Sequence, residues 1–377
     1  MGVDVSDAVT DVIPAVDSAV EPAPAAPRRA RFVFLDLLRA VAAPLVFYSH
    51  VVRYWQGAGH SSSVVNVIDE YVQTPLHLRQ DFGYFGVALF FLVSGFVVTY
   101  RASQERAGEF AVKRVLRIYP VLIAVVLFVA LLGGPFHILS ADQVPQISPF
   151  TVLTNGLLVN YVLLPQVVLV GVAWTLIIEV LFYLVLLVLL PLVKRMLWLA
   201  IVIELAVCWA DVAFARDFGA HFFLLAISLS YLPVLLLGQI CWAVWSKHVP
   251  LRLGVVFGLA AWLTFVWAGN RDMGRIDDGY GTGALIGLLL FVLLLLLEDK
   301  LRPSRVVSYL ADRSYSIYLW HGVIALPLMG FLYPKLPIPL GIACGVIATM
   351  AAVELSFRGI ERPSQRLARR LTRRRTT

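Results

Sequence analysis

Three side chains in one apolar stretch, Asp36, Arg39 and His50, offer the clearest chemistry in this sequence. An ionisable group deep in a membrane costs at least ~2.5–3.5 kcal/mol, so each one needs a reason. Arg39 and His50 are eleven residues apart, which is close to three helical turns, so both fall on one face, ~16–17 Å apart along the axis. Asp36 stands three residues before Arg39, where it can neutralise the guanidinium on the same face. Pro44 lies between them and bends the helix. A neutral imidazole can take a proton from a hydroxyl, and a fixed cation can bind or orient an anion. An Asp–Arg pair that ties helices together, with His50 at the membrane interface, explains the same residues equally well.

The elements that must position these residues follow from composition. Of 377 residues 60% are hydrophobic and only 15% charged, and the mean hydropathy is +0.82. Soluble domains carry about 25% charged residues. Several apolar runs reach or approach the ~20 residues that cross a bilayer as a helix. The chain reads as an all-α, multi-pass membrane protein. Cys208, Cys241 and Cys344 stand singly, which excludes a disulfide framework, a thiol-redox pair and a zinc site of recognisable spacing, and no metal is expected. No G-x-x-x-x-G-K-[ST] loop and no G-x-G-x-x-G follows a strand pattern, so ATP-driven transport and dinucleotide chemistry lack their signatures. The net charge of +7 is read through loop placement in the lipid bilayer rather than as a nucleic-acid footprint.

The pattern predicts a disordered tail over 1–30, a membrane domain over 31–360 and a basic tail over 361–377. Ten spans are expected, at about 32–52, 82–100, 118–134, 174–193, 197–214, 222–245, 251–268, 281–298, 306–332 and 338–357. The apolar segment 149–164 is short and carries Asn155, Asn160 and Pro165, so it is expected to be re-entrant or half-spanning, buried against protein. This arrangement gathers most of the 31 basic residues on one side, leaving Arg53, Arg79, Arg216, Arg271, Arg275 and Lys335 in the opposite loops. The positive-inside rule then puts both termini in the cytoplasm. A full span at 149–164 would move Lys194 and Arg195 to the wrong side. No inverted repeat of the transporter kind is present.

Six stretches, in order, resemble the acyltransferase-3 family of integral-membrane O-acyltransferases. They are Arg39 and His50 with ten residues between; Phe85-Gly-Val-Ala-Leu-Phe-Phe-Leu-Val-Ser94-Gly95-Phe96; Lys113-Arg114-Val-Leu-Arg117-Ile-Tyr119-Pro120; Trp174-Thr-Leu-Ile-Ile-Glu179 with Tyr183; Ser314-Tyr315-Ser-Ile-Tyr318-Leu-Trp-His321; and Glu361-Arg362-Pro363. Each is weak alone, and their order makes them specific. Two departures are that Asp36 is followed by Leu-Leu rather than a glycine-containing turn, and that Glu179 lacks a second neighbouring acid.

The resemblance implies transfer of an acyl group, commonly acetyl, from acyl-CoA as co-substrate to a hydroxyl of a sugar, glycolipid or polyketide-type acceptor, at the plasma membrane and with no permanently bound cofactor. On that reading His50 is the general base, Arg39 stabilises the oxyanion or orients the thioester, and Glu179 holds His50 in its tautomer or guides the acceptor. Arg114 and Arg117, at i and i+3, bind CoA phosphates; ordinary topology anchoring is the alternative. Asp36, Ser94, Tyr315, Tyr318 and His321 are further substrate or tunnel candidates, His321 also as a second base. Gly86 and Gly95 allow close helix approach. A competing reading is a proton-coupled transporter or flippase of a lipid-linked saccharide or antibiotic, with Asp36, Arg39, His50 and Glu179 as a proton relay.

Overall fold

The computed structural model describes residues 32–78, 82–133, 147–275 and 279–373. The expected N-terminal tail, Arg79 and the last arginines lie outside them. The chain divides into Met1–Phe32, of which only Phe32 is described, and Val33–Thr377, a unit in which the described residues form fifteen α-helices and no strand. In chain order these are α1 Val33–Gly57, α2 Ser63–Ile68, α3 Gly83–Gln104, α4 Ala107–Leu132, α5 Pro149–Gly156, α6 Trp174–Val188, α7 Leu190–Arg195 and α8 Leu197–Phe214. There follow α9 Ala220–Leu229, α10 Leu232–Trp245, α11 Leu251–Asn270, α12 Tyr280–Leu296, α13 Arg305–Leu332, α14 Ile338–Ser356 and α15 Arg362–Leu371.

Nine of these segments are long and apolar enough to cross a membrane, counting α9 with α10 and α14 with α15. The remaining expected span is α12, whose 17 residues reach about 25 Å against a hydrocarbon core of ~30 Å. Two expected spans are broken where proline removes a backbone donor. The 174–193 segment splits before Pro191 into α6 and α7, and the 222–245 segment splits before Pro233 into α9 and α10. Large apolar side chains face outward along the bundle: Leu131, Val188, Leu296 and Leu355 are each about three-quarters exposed. Such a surface is stable against hydrocarbon, not water.

Helix α3 is the central post, packed on α1, α10 and α12. Small residues bring the backbones together. A Cβ on Gly95 would overlap the carbonyl oxygen of Leu235 on α10, and one on Gly238 of α10 would overlap that of Leu92 on α3. Gly86 stands in the same relation to Ala42 on α1. In a bilayer, where burial of apolar surface does not drive helices together, such close approach supplies the packing energy. Helix α1 is pinned on its other side by α13, which also packs on α14. Its first amides are capped in trans: Val33 and Phe34 N–H both donate to the Glu298 carboxylate, each at 2.8 Å. A carboxylate at a helix N-terminus satisfies orphan donors and complements the helix dipole.

The 149–164 segment does not span. Ser148 caps α5, accepting from the Thr151 N–H at 3.1 Å, with Pro149 in the first turn. Asn155, buried, donates to Val167 O at 3.0 Å and accepts from the Leu169 N–H at 2.9 Å, folding the segment back on the next. Its other face, with Phe150 and Leu153, is exposed. The first residues of the expected basic tail are also ordered: α15 packs along α4, and Glu361 is buried, accepting from the Ser316 hydroxyl at 2.6 Å. Replacing Gly238 by Ala is expected to abolish the monodisperse folded peak on size exclusion in detergent. Gly108→Ala, where a Cβ meets nothing within 4 Å, is expected to leave it intact.

Candidate active site

Two cavities open inside the bundle, and the residues of the first subsection sort between them. The arginine cavity collects Arg39 from α1, Ser94 from α3, Arg114 and Arg117 from α4, Thr175 and Glu179 from α6, and Ser314, Tyr315 and Tyr318 from α13. The space these residues surround, open solvent included, is about 740 Å³. Spacing explains the convergence: Arg114 and Arg117 share a face of α4, and Tyr315 and Tyr318 share a face of α13.

Charge in this cavity is mostly positive. The Glu179 carboxylate accepts from the Ser94 hydroxyl at 2.8 Å and from the Tyr183 hydroxyl, one turn along α6. Arg39 lies 3.9 Å from Asp36, the i−3 pair expected from the sequence. The Arg114 guanidinium lies 3.8 Å from Glu105 and over the rings of Phe110 and Tyr183. Glu105 is shared, since Lys113 binds it at 2.8 Å and also reaches Glu109. The Arg114 Nε is buried without a hydrogen-bond partner. Three guanidinium groups facing one enclosed carboxylate make a site for a polyanion. Tyr315 is a structural tie here, donating to Ile118 O on α4 at 2.7 Å.

The histidine cavity holds His50 with Ser49 and Arg53 from α1, Tyr84 from α3, Tyr161, Trp174, Tyr231 from the turn before α10, and Tyr280 from α12. Its empty space is about 1210 Å³. Hydrogen-bond partners fix the imidazole. A carbonyl oxygen only accepts, so the His50 Nδ1 that lies 2.8 Å from Val46 O carries the proton. By the same reasoning His321 is protonated at Nδ1, 3.2 Å from Ile317 O. The His321 Nε2 therefore accepts a share of the His50 Nδ1–H, at 3.3 Å. His50 Nε2 is left with its lone pair, the form a general base requires. His321 is fully buried against Phe47 and Tyr318, so this arrangement is held by packing as well.

The aromatic wall continues behind the cavity. Arg275, in the loop before α12, stacks on Tyr231 at 4.1 Å and Phe265 at 4.7 Å, and donates to the Ser230 hydroxyl at 2.6 Å and Met273 O at 2.7 Å. Burial holds its guanidinium below the usual arginine range, against the opposing pull of Tyr231, Tyr84 and Tyr280. Tyr84 and Tyr280 lie ring to ring at 4.1 Å.

Two expectations change. Arg39 and His50 share a helix face but line different cavities, so the structure does not bring the two side chains to one point. Glu179 lines the arginine cavity and bonds Ser94 and Tyr183, while Val46 O and His321 take the role of orienting His50. Of the residues that sequence reasoning missed, Arg53 was findable, one turn beyond His50. Tyr84, Tyr161, Tyr231 and Tyr280 come from separate segments and carry no shared spacing.

Residues 32–355 match the acyltransferase domain of the acyltransferase-3 family, and the chain belongs to that family. It is therefore a multi-pass membrane acyltransferase, and the transporter reading of its buried charges falls away. It is also similar to nodulation protein 10 of Rhizobium leguminosarum bv. viciae, 28% identical over 373 residues that cover 90% of this chain and 95% of that one. No solved structure matches it.

The Glu179 contacts make a test of this site. Ser94→Ala and Tyr183→Phe are each expected to lower the melting temperature in detergent, and the double variant more than their sum, because it strips both hydroxyl donors from one carboxylate. Strictly additive shifts in thermal unfolding would mean that the two hydroxyls act independently.

Proposed function

We propose that this protein is an acyl-CoA-dependent O-acyltransferase of the plasma membrane, moving a small acyl group, acetyl in the first instance, to a hydroxyl of a sugar, glycolipid or polyketide-type acceptor. One observation carries the reading: a cavity lined by three guanidinium groups abuts a second cavity lined by a neutral-form imidazole with a free Nε2. With both termini cytoplasmic, the arginine cavity faces the compartment that holds CoA. Its phosphates pair with Arg114 and Arg117, and Arg39 joins them as a donor-binding residue. The pantetheine arm extends from there toward the histidine cavity.

The acceptor lies in the histidine cavity among the tyrosine and tryptophan rings, whose flat apolar faces and polar tips suit a hydroxylated ring system. His50 Nε2 takes the proton from the acceptor hydroxyl as its oxygen attacks the thioester carbonyl. The tetrahedral intermediate collapses with cleavage of the carbon–sulfur bond. The departing thiolate takes the proton from the imidazolium, so the products are the ester and CoA thiol. His321 is a positioning residue: it holds the His50 ring in the tautomer that leaves Nε2 unprotonated.

Two experiments test this. His50→Ala is expected to keep normal expression and membrane insertion while thiol release from acetyl-CoA falls by roughly a hundredfold or more, the weight of a general base. An active His50→Ala enzyme would end the assignment. Arg114→Ala with Arg117→Ala is expected to raise the KM for acetyl-CoA by at least about tenfold, with a smaller change in kcat, since two charge-assisted contacts are lost. An unchanged KM would return both residues to topology anchoring.

A further inference from the structure

The two cavities have very little wall in common. Of the residues that line them, Val87 of α3 and Tyr318 of α13 belong to both. Both are buried, Val87 with 5% of its surface exposed and Tyr318 with 6%. Tyr318 is held in place: the Thr175 hydroxyl donates to its oxygen at 2.9 Å, and its own proton goes to Val172 O at 3.0 Å. Phe90 meets its ring edge-on, with centroids 5.7 Å apart. One turn further along α13, His321 bonds His50. Val87 and Tyr318 therefore stand where the two cavities meet, one turn of α13 from His321, and the Tyr318 ring is fixed by two hydrogen bonds.

We infer that Val87 and Tyr318 form a rigid waist that selects the acyl group by its cross-section. The inference rests on the proposed reading, in which the donor enters from the arginine side and the acceptor from the histidine side. The reacting carbonyl must then sit at the waist, whichever partner travels further. An unbranched acyl chain is no wider than the methylene chain of the pantetheine arm that delivers it. A branch at the carbon next to the carbonyl, or an aromatic ring there, adds width between Val87 and the Tyr318 ring. Length is not what the waist reads, because the histidine cavity beyond it is roomy. The substrate class is unbranched short acyl thioesters, acetyl through butyryl, with isobutyryl and benzoyl thioesters excluded.

The test uses the full-length protein in membranes that contain the endogenous acceptor. Radiolabel transfer to the membrane fraction and thiol release are followed with acetyl-, butyryl-, isobutyryl- and benzoyl-CoA. Wild type is expected to use acetyl and butyryl within a few-fold of each other and isobutyryl about tenfold less well or worse, the weight of one misplaced methyl group. Val87→Ala is expected to raise the isobutyryl-to-butyryl ratio of kcat/KM by about tenfold, and Val87→Ile to lower it. Tyr318→Phe, which frees the ring from Thr175 and Val172, is expected to raise the same ratio by a smaller factor. If the variants turn over butyryl-CoA at an unchanged isobutyryl-to-butyryl ratio, the waist is not the selector, although the acyltransferase reading stands. A wild-type protein that releases thiol from none of the four overturns that reading and the waist with it. Should Val87→Ala fail to accumulate, the Val87→Ile and Tyr318→Phe ratios decide alone.

Discussion

Arginine side chains inside a membrane bundle must find an anion, a hydrogen-bond acceptor or a water-filled space, because hydrocarbon supplies none of these. Much of this molecule answers that constraint. Arg39 has Asp36 on its own helix, Arg114 has Glu105 and two aromatic faces, and Arg313 is clasped by both oxygens of Glu354 at 2.6 and 3.0 Å. Arg275, in the loop before α12, has the Ser230 and Met273 oxygens with two rings although it lies outside the spans. The compensation differs between sites. Around Arg313 it is local and complete, as expected of a tie between helices. In the arginine cavity three cations face space as well as carboxylate, and the Arg114 Nε is left buried without an acceptor. That surplus of donors distinguishes a binding site from a structural ion pair.

The scaffold that keeps this space open is built from absences of side chain. Gly86, Gly95 and Gly238 let α1 and α10 approach α3 to backbone contact. The arginine cavity lies beside α3, where α1, α4, α6 and α13 complete its wall. The hydroxyl groups in and around those walls are tied down: Ser94 and Tyr183 donate to the Glu179 carboxylate, Tyr315 and Tyr318 donate to the backbone oxygens of Ile118 and Val172, and Thr175 donates to the Tyr318 hydroxyl. They keep the lining polar while fixing its shape, so the cavity is pre-organised. The trans cap from Glu298 adds a further restraint at the start of α1, the helix that carries both Arg39 and His50.

How legible all this was depends on the kind of signal. Membrane helices are local objects: an apolar run of given length predicts one, and the expected spans fall on observed helices, apart from the proline breaks, the shortness of α12 and the start of α4, which lies eleven residues before the expected span at 118–134. The half-span at 149–164 was legible from Asn155 and Asn160, whose amides need backbone partners that a lipid-facing helix does not offer. Arg39, His50, Arg114, Arg117 and Glu179 stood out because each is costly where it is. That Glu179 bonds Ser94 and Tyr183 was not legible, because position along one helix says nothing of which neighbour the side chain meets. The His50–His321 pair joins residues 271 positions apart, and no period along either helix could announce it.

The sequence by itself determined which segments enter the membrane, which ionisable groups they carry and which of those share a helix face, because hydropathy and the α-helical repeat act within a single segment. Only the tertiary structure decided that Arg39 and His50 line separate chambers, that the two histidines meet, and that Val87 and Tyr318 line both chambers. Those outcomes depend on the distance between helices, and that distance is set by backbone contact at glycines on facing helices, a quantity that no single stretch of residues contains.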